Sequence, residues 1–463
     1  MTTLFGVLLT AAAVAVAGWL VRERLAVAAA FGGGPTAVVL VGFAVLTSVA
    51  SGIADDYSPA IIGVLVLGLL AWLFATRRWR LSGPAEIWPR ISLAMAGALL
   101  LWCLAVDVIA GSGVYGSRLP AYAAAGLLLA TVWLMSAGTS LSLRAMAYTG
   151  LAVLSSLTIP AAIYEASWRA CTVGRLEKCS LAGALFRGLH NSENYIAMIA
   201  TFTLVAAACA LRRTELLAAS SFCLLIIVAT GSRTSYLALA VLGVWLLGAH
   251  LLERRRSYPK INFALGVTLV VGAVATATYV TWTATKTTLS NRGNIWSIAR
   301  EYIAGAEITG VGVSKWSYLR DIGEAPRHFF HSGYVLAIFA GGLVALTLWG
   351  LWLATLLRRT AVDGRAFSAK APLVLLVVCS FTEVVWNPLS VDGLTWIVVL
   401  LMLTTSAVPP PAEPVTAVGR VPVVHRPAPP AGPPDVTGRQ VGGPSPPTEA
   451  FRSVPLRSVD SPE

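Results

Sequence analysis

The sequence predicts an all-α polytopic membrane protein with about 12–14 transmembrane helices and a large external loop. Of the 463 residues, 56% are hydrophobic and only 12% are charged. Soluble domains carry about 25% charged residues, so the composition excludes an ordinary soluble protein, and no separate soluble catalytic domain is visible. The formal net charge of +12 is typical of cytoplasmic loops and lipid headgroup contacts, and it does not indicate nucleic-acid binding.

Thirteen apolar segments approach the length of about 20 residues that a spanning helix needs. They are residues 3–21, 35–54, 59–76, 91–110, 119–139, 143–164, 194–211, 215–230, 234–252, 261–281, 332–357, 371–387 and 391–407. The first is expected to be a retained helix, because no basic residue precedes it and no small-residue cleavage site follows it. A transmembrane domain is therefore predicted for residues 1–407.

The distribution of positive charge predicts which loops face the cytoplasm. Basic clusters fall on alternate loops, at Arg77–Arg80, Arg144, Arg212–Arg213, Arg254–Arg256 and Arg358–Arg359. The positive-inside bias places these loops in the cytoplasm. The opposite loops contain few basic residues, so they are predicted to be external, together with two long polar loops, 165–190 and 282–331. The N-terminus would then be external as well.

Residues 408–463 form a tail of different composition. Fifteen of the chain's 25 prolines lie in its last 55 residues. Such a segment buries too little apolar surface to offset its ordering entropy, so it is predicted to be a disordered, Pro-rich cytoplasmic extension.

Two cysteines, Cys171 and Cys179, lie eight residues apart in the first long loop. The other four of the six cysteines fall in apolar segments and are expected to be buried small side chains. If the loop faces an oxidising exterior, a disulfide between Cys171 and Cys179 is favoured.

Two arginines are candidates for binding an anion at the external face. Arg233 lies at the start of a predicted span, where the amides and dipole of a helix N-terminus favour an anion. Arg292 opens an amphipathic segment of the large loop, which is predicted to form a helix on the outer membrane surface as far as about Ile303. For both residues the alternative is an arginine that snorkels or faces lipid headgroups.

Two histidines and one carboxylate lie near the same loops. His331 precedes span 332–357, and an imidazole can act as a general base at neutral pH. His190, followed by Asn191, precedes span 194–211; the alternative for each histidine is a helix cap or an interface residue. Glu383 falls within span 371–387, where a carboxylate is usually functional unless it pairs with a structural cation. No spacing typical of metal ligands is present, so no metal and no cofactor are predicted.

Together these segments resemble the O-antigen ligase and polymerase superfamily of integral membrane glycosyltransferases. The shared features follow the family's order over roughly residues 185–350: His190-Asn191 with Asn194, Gly231-Ser232-Arg233-Thr234, Arg292 with Ile295-Trp296, Gly310-Val311-Gly312, His331, and Gly341-Gly342-Leu343. The chain departs from the family pattern at Ser332, where an Asn commonly follows the histidine, and at Ser192-Glu193, where a proline is usual.

The resemblance implies a GT-C-like glycosyltransferase, a ligase or a polymerase, in the bacterial cytoplasmic (inner) membrane. It implies that Arg233 and Arg292 bind the diphosphate of a polyprenyl-diphosphate-linked glycan donor. It also implies that His331 activates the hydroxyl of a glycan or lipid acceptor on the external face, in a metal-independent, inverting transfer among membrane lipids.

Several alternatives stay open at this point. Ligase and polymerase share donor chemistry and differ in acceptor, and a protein O-oligosaccharyltransferase would use the same donor site. A non-enzymatic lipid-glycan transporter or flippase would favour internal repeats, broken helices and polar residues through the membrane midplane, of which the sequence shows few. A non-catalytic scaffold would not need His and Arg residues beside long external loops. His190, Asn191 and Glu383 are auxiliary candidates for the enzyme.

Overall fold

The computed structural model of the protein describes residues 2–53, 58–76, 87–110, 115–136, 141–171, 179–190, 192–252, 258–286, 292–326, 330–359 and 370–404. The predictions for Asn191, for the tail at 408–463 and for the basic clusters at 77–80 and 254–256 lie outside these residues.

The described residues form sixteen α-helices, which confirms the all-α polytopic prediction. They are α1 (Thr2–Arg22), α2 (Arg24–Ala30), α3 (Gly34–Ile53), α4 (Ser58–Ala75), α5 (Ile87–Ile109), α6 (Tyr115–Ser136), α7 (Leu143–Thr158), α8 (Glu193–Ala210), α9 (Arg213–Thr230), α10 (Arg233–Leu252), α11 (Tyr258–Thr283), α12 (Arg292–Ile303), α13 (Val313–Asp321), α14 (Gly333–Arg359), α15 (Ala371–Thr382) and α16 (Thr395–Leu403). Each of the thirteen predicted spans coincides with one of these helices.

The helices differ in whether they are long enough to cross a bilayer. Among the described residues, eight are long and apolar enough: α1, α3, α5, α6, α8, α9, α11 and α14. Helices α4, α10 and α15 provide shorter apolar segments. Helix α7 packs against α1, α3 and α8, and twelve of its 16 residues are buried, so it is a central core helix.

The first long loop folds into a small disulfide-closed hairpin. Strands β1 (Trp168–Ala170) and β2 (Ala184–Phe186) pair antiparallel, with Trp168 opposite Phe186. The indole of Trp168 donates a hydrogen bond to the Ala162 carbonyl at 2.9 Å and packs on the Phe186 ring at 5.0 Å. Cys171 and Cys179 are disulfide-bonded, as the sequence favoured for an external loop.

Helix α12 forms where its apolar periodicity predicted. Its apolar face is buried by protein, since Trp296, Ala299 and Ile303 are at most 1% exposed and the helix packs on α11 and α14. The indole of Trp296 donates to the Phe330 carbonyl at 2.9 Å. The apolar face therefore packs on helices α11 and α14, and the position of α12 at the outer membrane surface stays a prediction.

The segment between α12 and α13 is anchored on a kink in α14. The backbone leaves helical geometry at Gly341 and Gly342, and Gly310 lies so close that a Cβ on it would sit 2.5 Å from the Gly342 nitrogen. Both Gly310 and Gly342 have positive φ, which glycine adopts without strain. Two backbone hydrogen bonds of 2.9 Å, Val311 N to Phe339 O and Leu343 N to Glu307 O, fix this contact.

Asp107 fixes the start of α13 from a different helix. This carboxylate at the end of α5 is buried and accepts hydrogen bonds from the backbone and the hydroxyl of Ser314, at 2.9 and 2.6 Å, and from the Tyr122 hydroxyl. A carboxylate that caps exposed helix amides satisfies donors that would otherwise be unpaired. The middle of the large loop is therefore an integral part of the fold.

Candidate active site

Glu383 lies at the centre of the site, immediately after α15. The sequence placed it inside span 371–387, but the helix ends at Thr382, and Glu383 has extended backbone angles of φ −143° and ψ 158°. Its side chain is nevertheless buried, with the residue 6% exposed. A buried carboxylate needs hydrogen-bond donors or cations to compensate for the loss of water, and Glu383 has both among its neighbours.

One carboxylate oxygen of Glu383 binds a guanidinium and an amide. Arg292 Nη2 donates to Oε1 at 2.5 Å, and Asn194 Nδ2 donates to the same oxygen at 2.6 Å. Arg292 Nη1 also donates to the Thr382 carbonyl at 2.5 Å, so the guanidinium spans the end of α15. The ion pair is largely desolvated, because the side chains of Arg292 and Glu383 are 18% and 8% exposed. Charge-assisted bonds of this length are among the strongest in proteins.

The other carboxylate oxygen of Glu383 faces His331. The distance from His331 Nδ1 to Glu383 Oε2 is 3.4 Å, and the backbone of Gly333 donates to the Glu383 carbonyl at 3.2 Å. His331 is separated from Gly333, the first residue of α14, by Ser332. Its backbone φ is +48°, a left-handed conformation that is strained for a non-glycine residue. Its neighbours Phe330 and Ser332 are buried, and their packing holds the backbone in this conformation.

Arg233 is the first residue of α10 and its side chain is exposed. The residues on either side of it join the same network: Ser232 Oγ donates to Asn194 Oδ1 at 3.1 Å, and the hydroxyls of Thr234 and Thr382 are 3.3 Å apart. The structure therefore brings two predicted site residues, Arg292 and His331, into contact with a third, Glu383, and places Arg233 at the start of α10, next to Thr234.

His190 lies apart from this network. It is 5% exposed and stacks on the Tyr195 ring at 3.9 Å, beside Gly52 of α3. Burial lowers the pKa of His190 to about 4, because the charged imidazolium is disfavoured away from water. Its contacts are those of a core histidine that joins α3 to α8.

We expect the burial of His190 to make stability depend on pH. An imidazole in the unfolded chain has a pKa near 6.5, so between pH 6.5 and about 4 the unfolded state binds the extra proton. The free energy of unfolding should be fully retained above pH 6.5 and fall below it, by on the order of 2 kcal/mol at pH 5. Thermal unfolding of wild type and His190→Phe at pH 7.5 and 5.0 measures this. The variant keeps the ring stack, and equal pH dependence of the two proteins would contradict the prediction.

The polar contacts that organise the site were only partly visible in the sequence. Asn194 appeared as part of a motif without a role, and Thr382 and Ser232 received none. The sequence signal that they share is a polar residue beside the end of an apolar segment. In the structure each of the three is at most 8% exposed. Such residues are retained at helix ends to satisfy buried partners.

A comparison with known protein families matches the central part of the chain. A family model described as O-antigen ligase matches residues 218–350, a segment that contains Arg233, Arg292 and His331 but neither Asn194 nor Glu383. No curated protein and no solved structure matches the chain. The match supports a multi-pass membrane protein of the glycan ligase or polymerase type. Residues 218–350 are therefore similar to the O-antigen ligase family, the family that the sequence resembles.

Proposed function

We propose that the protein transfers a glycan from a polyprenyl-diphosphate donor to an acceptor hydroxyl at the external face of the bacterial cytoplasmic membrane, without a metal ion and with inversion. The observation that carries the proposal is the buried carboxylate of Glu383, which contacts Arg292 through one oxygen and His331 through the other. This arrangement supports the proposal, because one carboxylate contacts both the proposed phosphate-binding cation and the proposed general base.

Arg292 and Arg233 are the proposed donor-side cations. A guanidinium carries five N–H donors, and the bonds from Arg292 to Glu383 and Thr382 use two of them. The remaining donors suit the oxygens of a diphosphate. Glu383 offsets the charge of Arg292, and we assign the second donor-side cation to the exposed Arg233, at the N-terminus of α10, where the helix dipole favours an anion.

His331 is the proposed general base, and Glu383 orients it. A carboxylate at Nδ1 favours the tautomer with hydrogen on that nitrogen, so Nε2 takes the proton of the acceptor hydroxyl. The acceptor oxygen then bonds to the anomeric carbon, and the bond from that carbon to the phosphate oxygen breaks. Both electrons of that bond remain on the diphosphate, where the two arginines stabilise the developing charge. Attack from the face opposite the leaving group inverts the anomeric configuration.

Two observations support an external site. The Glu383 network contacts Asn194 at the start of α8, whereas Arg144, which belongs to the predicted cytoplasmic set, donates to Ala210 at the other end of the same helix. An 18-residue helix is about 27 Å long, close to the thickness of a bilayer core. The disulfide of the neighbouring hairpin also favours an oxidising exterior.

Replacing Arg233 with alanine should reduce kcat/KM for the donor by about 10²-fold, because one preorganised donor to the diphosphate is lost. Arg320→Ala is the matched control, since Arg320 is an exposed cation in the last turn of α13 and pairs with its neighbour Asp321. The assay uses purified protein in lipid vesicles, a polyprenyl-diphosphate glycan and an acceptor, with and without a chelator. Equal loss in both variants would refute the assignment of Arg233, and chelator-sensitive transfer would refute the metal-free mechanism.

A further inference from the structure

The disulfide-closed hairpin, described over residues 168–171 and 179–186, contacts the turn that precedes Arg233. Gly231, in the turn between α9 and α10, packs directly on the second part of the hairpin. A Cβ on Gly231 would lie 3.0 Å from a methyl carbon of Leu185 and 3.5 Å from the carbonyl of Cys179. Gly231 also has φ +59°, a conformation that glycine adopts without strain, and a Cβ there would press on the Leu185 side chain.

The same hairpin holds the start of α8 through an ion pair. Arg169 Nη1 lies 3.4 Å from Glu193 Oε2, and Glu193 is buried at 4% exposure. The next residue, Asn194, donates to Glu383 and accepts from Ser232. The hairpin therefore contacts Glu193, next to Asn194, and Gly231, next to Ser232. The hydrogen bond between Asn194 and Ser232 joins the start of α8 to the turn before Arg233.

The second strand of the hairpin and the residue after it are held by burial and by hydrogen bonds. Leu185 and Phe186 are fully buried, and the guanidinium of Arg187 donates twice to the Ala166 carbonyl, at 3.0 and 2.8 Å. Cys179, the residue whose carbonyl lies against Gly231, is held by the bond to Cys171. Because the disulfide limits the movement of Cys179, the contact between Cys179 and Gly231 limits the position of the turn between α9 and α10.

From these contacts we infer that the hairpin is a positioning element for the donor site. The Cys171–Cys179 disulfide and the Arg169–Glu193 pair set the location of the Arg233 turn relative to Arg292. Neither pair touches the reacting atoms in this role. The inference rests on the proposed function, because it assigns the hairpin to the diphosphate site. Small displacements of a positioned charge lower its contribution steeply, so opening the hairpin should raise the donor KM about tenfold.

The test separates positioning from a general loss of folded protein. Kinetics are measured for wild type, reduced wild type, a Cys171→Ala/Cys179→Ala double variant and Arg169→Gln. The expected result is a donor KM raised about tenfold, with kcat at saturating donor and acceptor KM changed less than about twofold. Reductant should have no further effect on the double variant. A fall in kcat at unchanged donor KM would overturn the inference, since that is the signature of partial unfolding.

Two glycine variants provide a matched pair that does not depend on the disulfide. Gly231→Ala and Gly305→Ala both place a side chain at positive φ, but the space around Gly305 is open. Only Gly231→Ala should raise the donor KM. If Arg233→Ala lowers kcat/KM for the donor while Gly231→Ala and the cysteine variants leave the donor KM unchanged, the inference fails and the proposed function stands. If Arg233→Ala itself leaves kcat/KM for the donor unchanged, the assignment of Arg233 in the proposed function fails.

Discussion

Replacing His331 with glycine is expected to lower kcat for glycan transfer by about 10²–10⁴-fold while the donor still binds. The imidazole lies 3.4 Å from Glu383 through Nδ1, and the variant removes the group that would take the acceptor proton. The diphosphate contacts of Arg233 and Arg292 are unaffected, so the donor KM should stay close to wild type. The measurement is steady-state transfer with donor and acceptor varied separately.

Glycine is the informative replacement at this position because His331 has φ +48°. Glycine, and to a lesser extent asparagine, adopts this conformation readily, whereas alanine would keep the strain and remove the packing. Thermal unfolding of His331→Gly and His331→Asn should therefore occur at or above the wild-type temperature. Near-normal transfer by both stable variants would contradict the assignment of His331 as the base.

Replacing Arg292 with alanine is expected to abolish turnover and also to destabilise the protein by about 3–5 kcal/mol. The second effect arises because Glu383 would remain buried without its cation, with only Asn194 donating to the same oxygen. The free energy of unfolding in detergent measures this loss. Arg292→Lys should recover part of the stability, but an ammonium does not reproduce the fork that contacts Glu383 and Thr382 together.

A double variant separates the two roles of Arg292. In Arg292→Ala/Glu383→Gln the unpaired charge is removed, so stability should return towards wild type while transfer stays absent. If Arg292→Ala alone were as stable as wild type, the ion pair would not be what maintains the buried carboxylate. If the double variant transferred glycan, neither residue would belong to the site.

Local patterns in the sequence were sufficient to predict the helices and to single out three of the candidate site residues. Arg233, Arg292 and His331 stand out because charged and titratable groups at the ends of apolar segments are costly and need a reason. The residue that joins two of them, Glu383, was rated only auxiliary. Its contacts with Asn194, Arg292 and His331 cross 189, 91 and 52 residues, and helical periodicity carries no information about such pairings.

The sequence did not predict which side chains and loop segments are covered by other parts of the protein. The apolar face of α12 has the same periodicity whether lipid or α14 covers it, so burial by protein was not predictable. His190 stays an auxiliary candidate, and the sequence did not show that its ring packs on Tyr195. The contact of Gly310 with Gly342 depends on a kink that appears only once the loop and α14 are placed together.

The stereochemistry of the transferred linkage tests the central claim most directly. Wild-type protein in vesicles is given a labelled polyprenyl-diphosphate glycan of known anomeric configuration, an acceptor and a chelator, and the product linkage is determined by NMR. A single displacement, with His331 as base and the diphosphate held by Arg233 and Arg292, predicts an inverted linkage and release of polyprenyl diphosphate. A retained configuration would contradict this mechanism, because it requires a covalent intermediate or a second displacement.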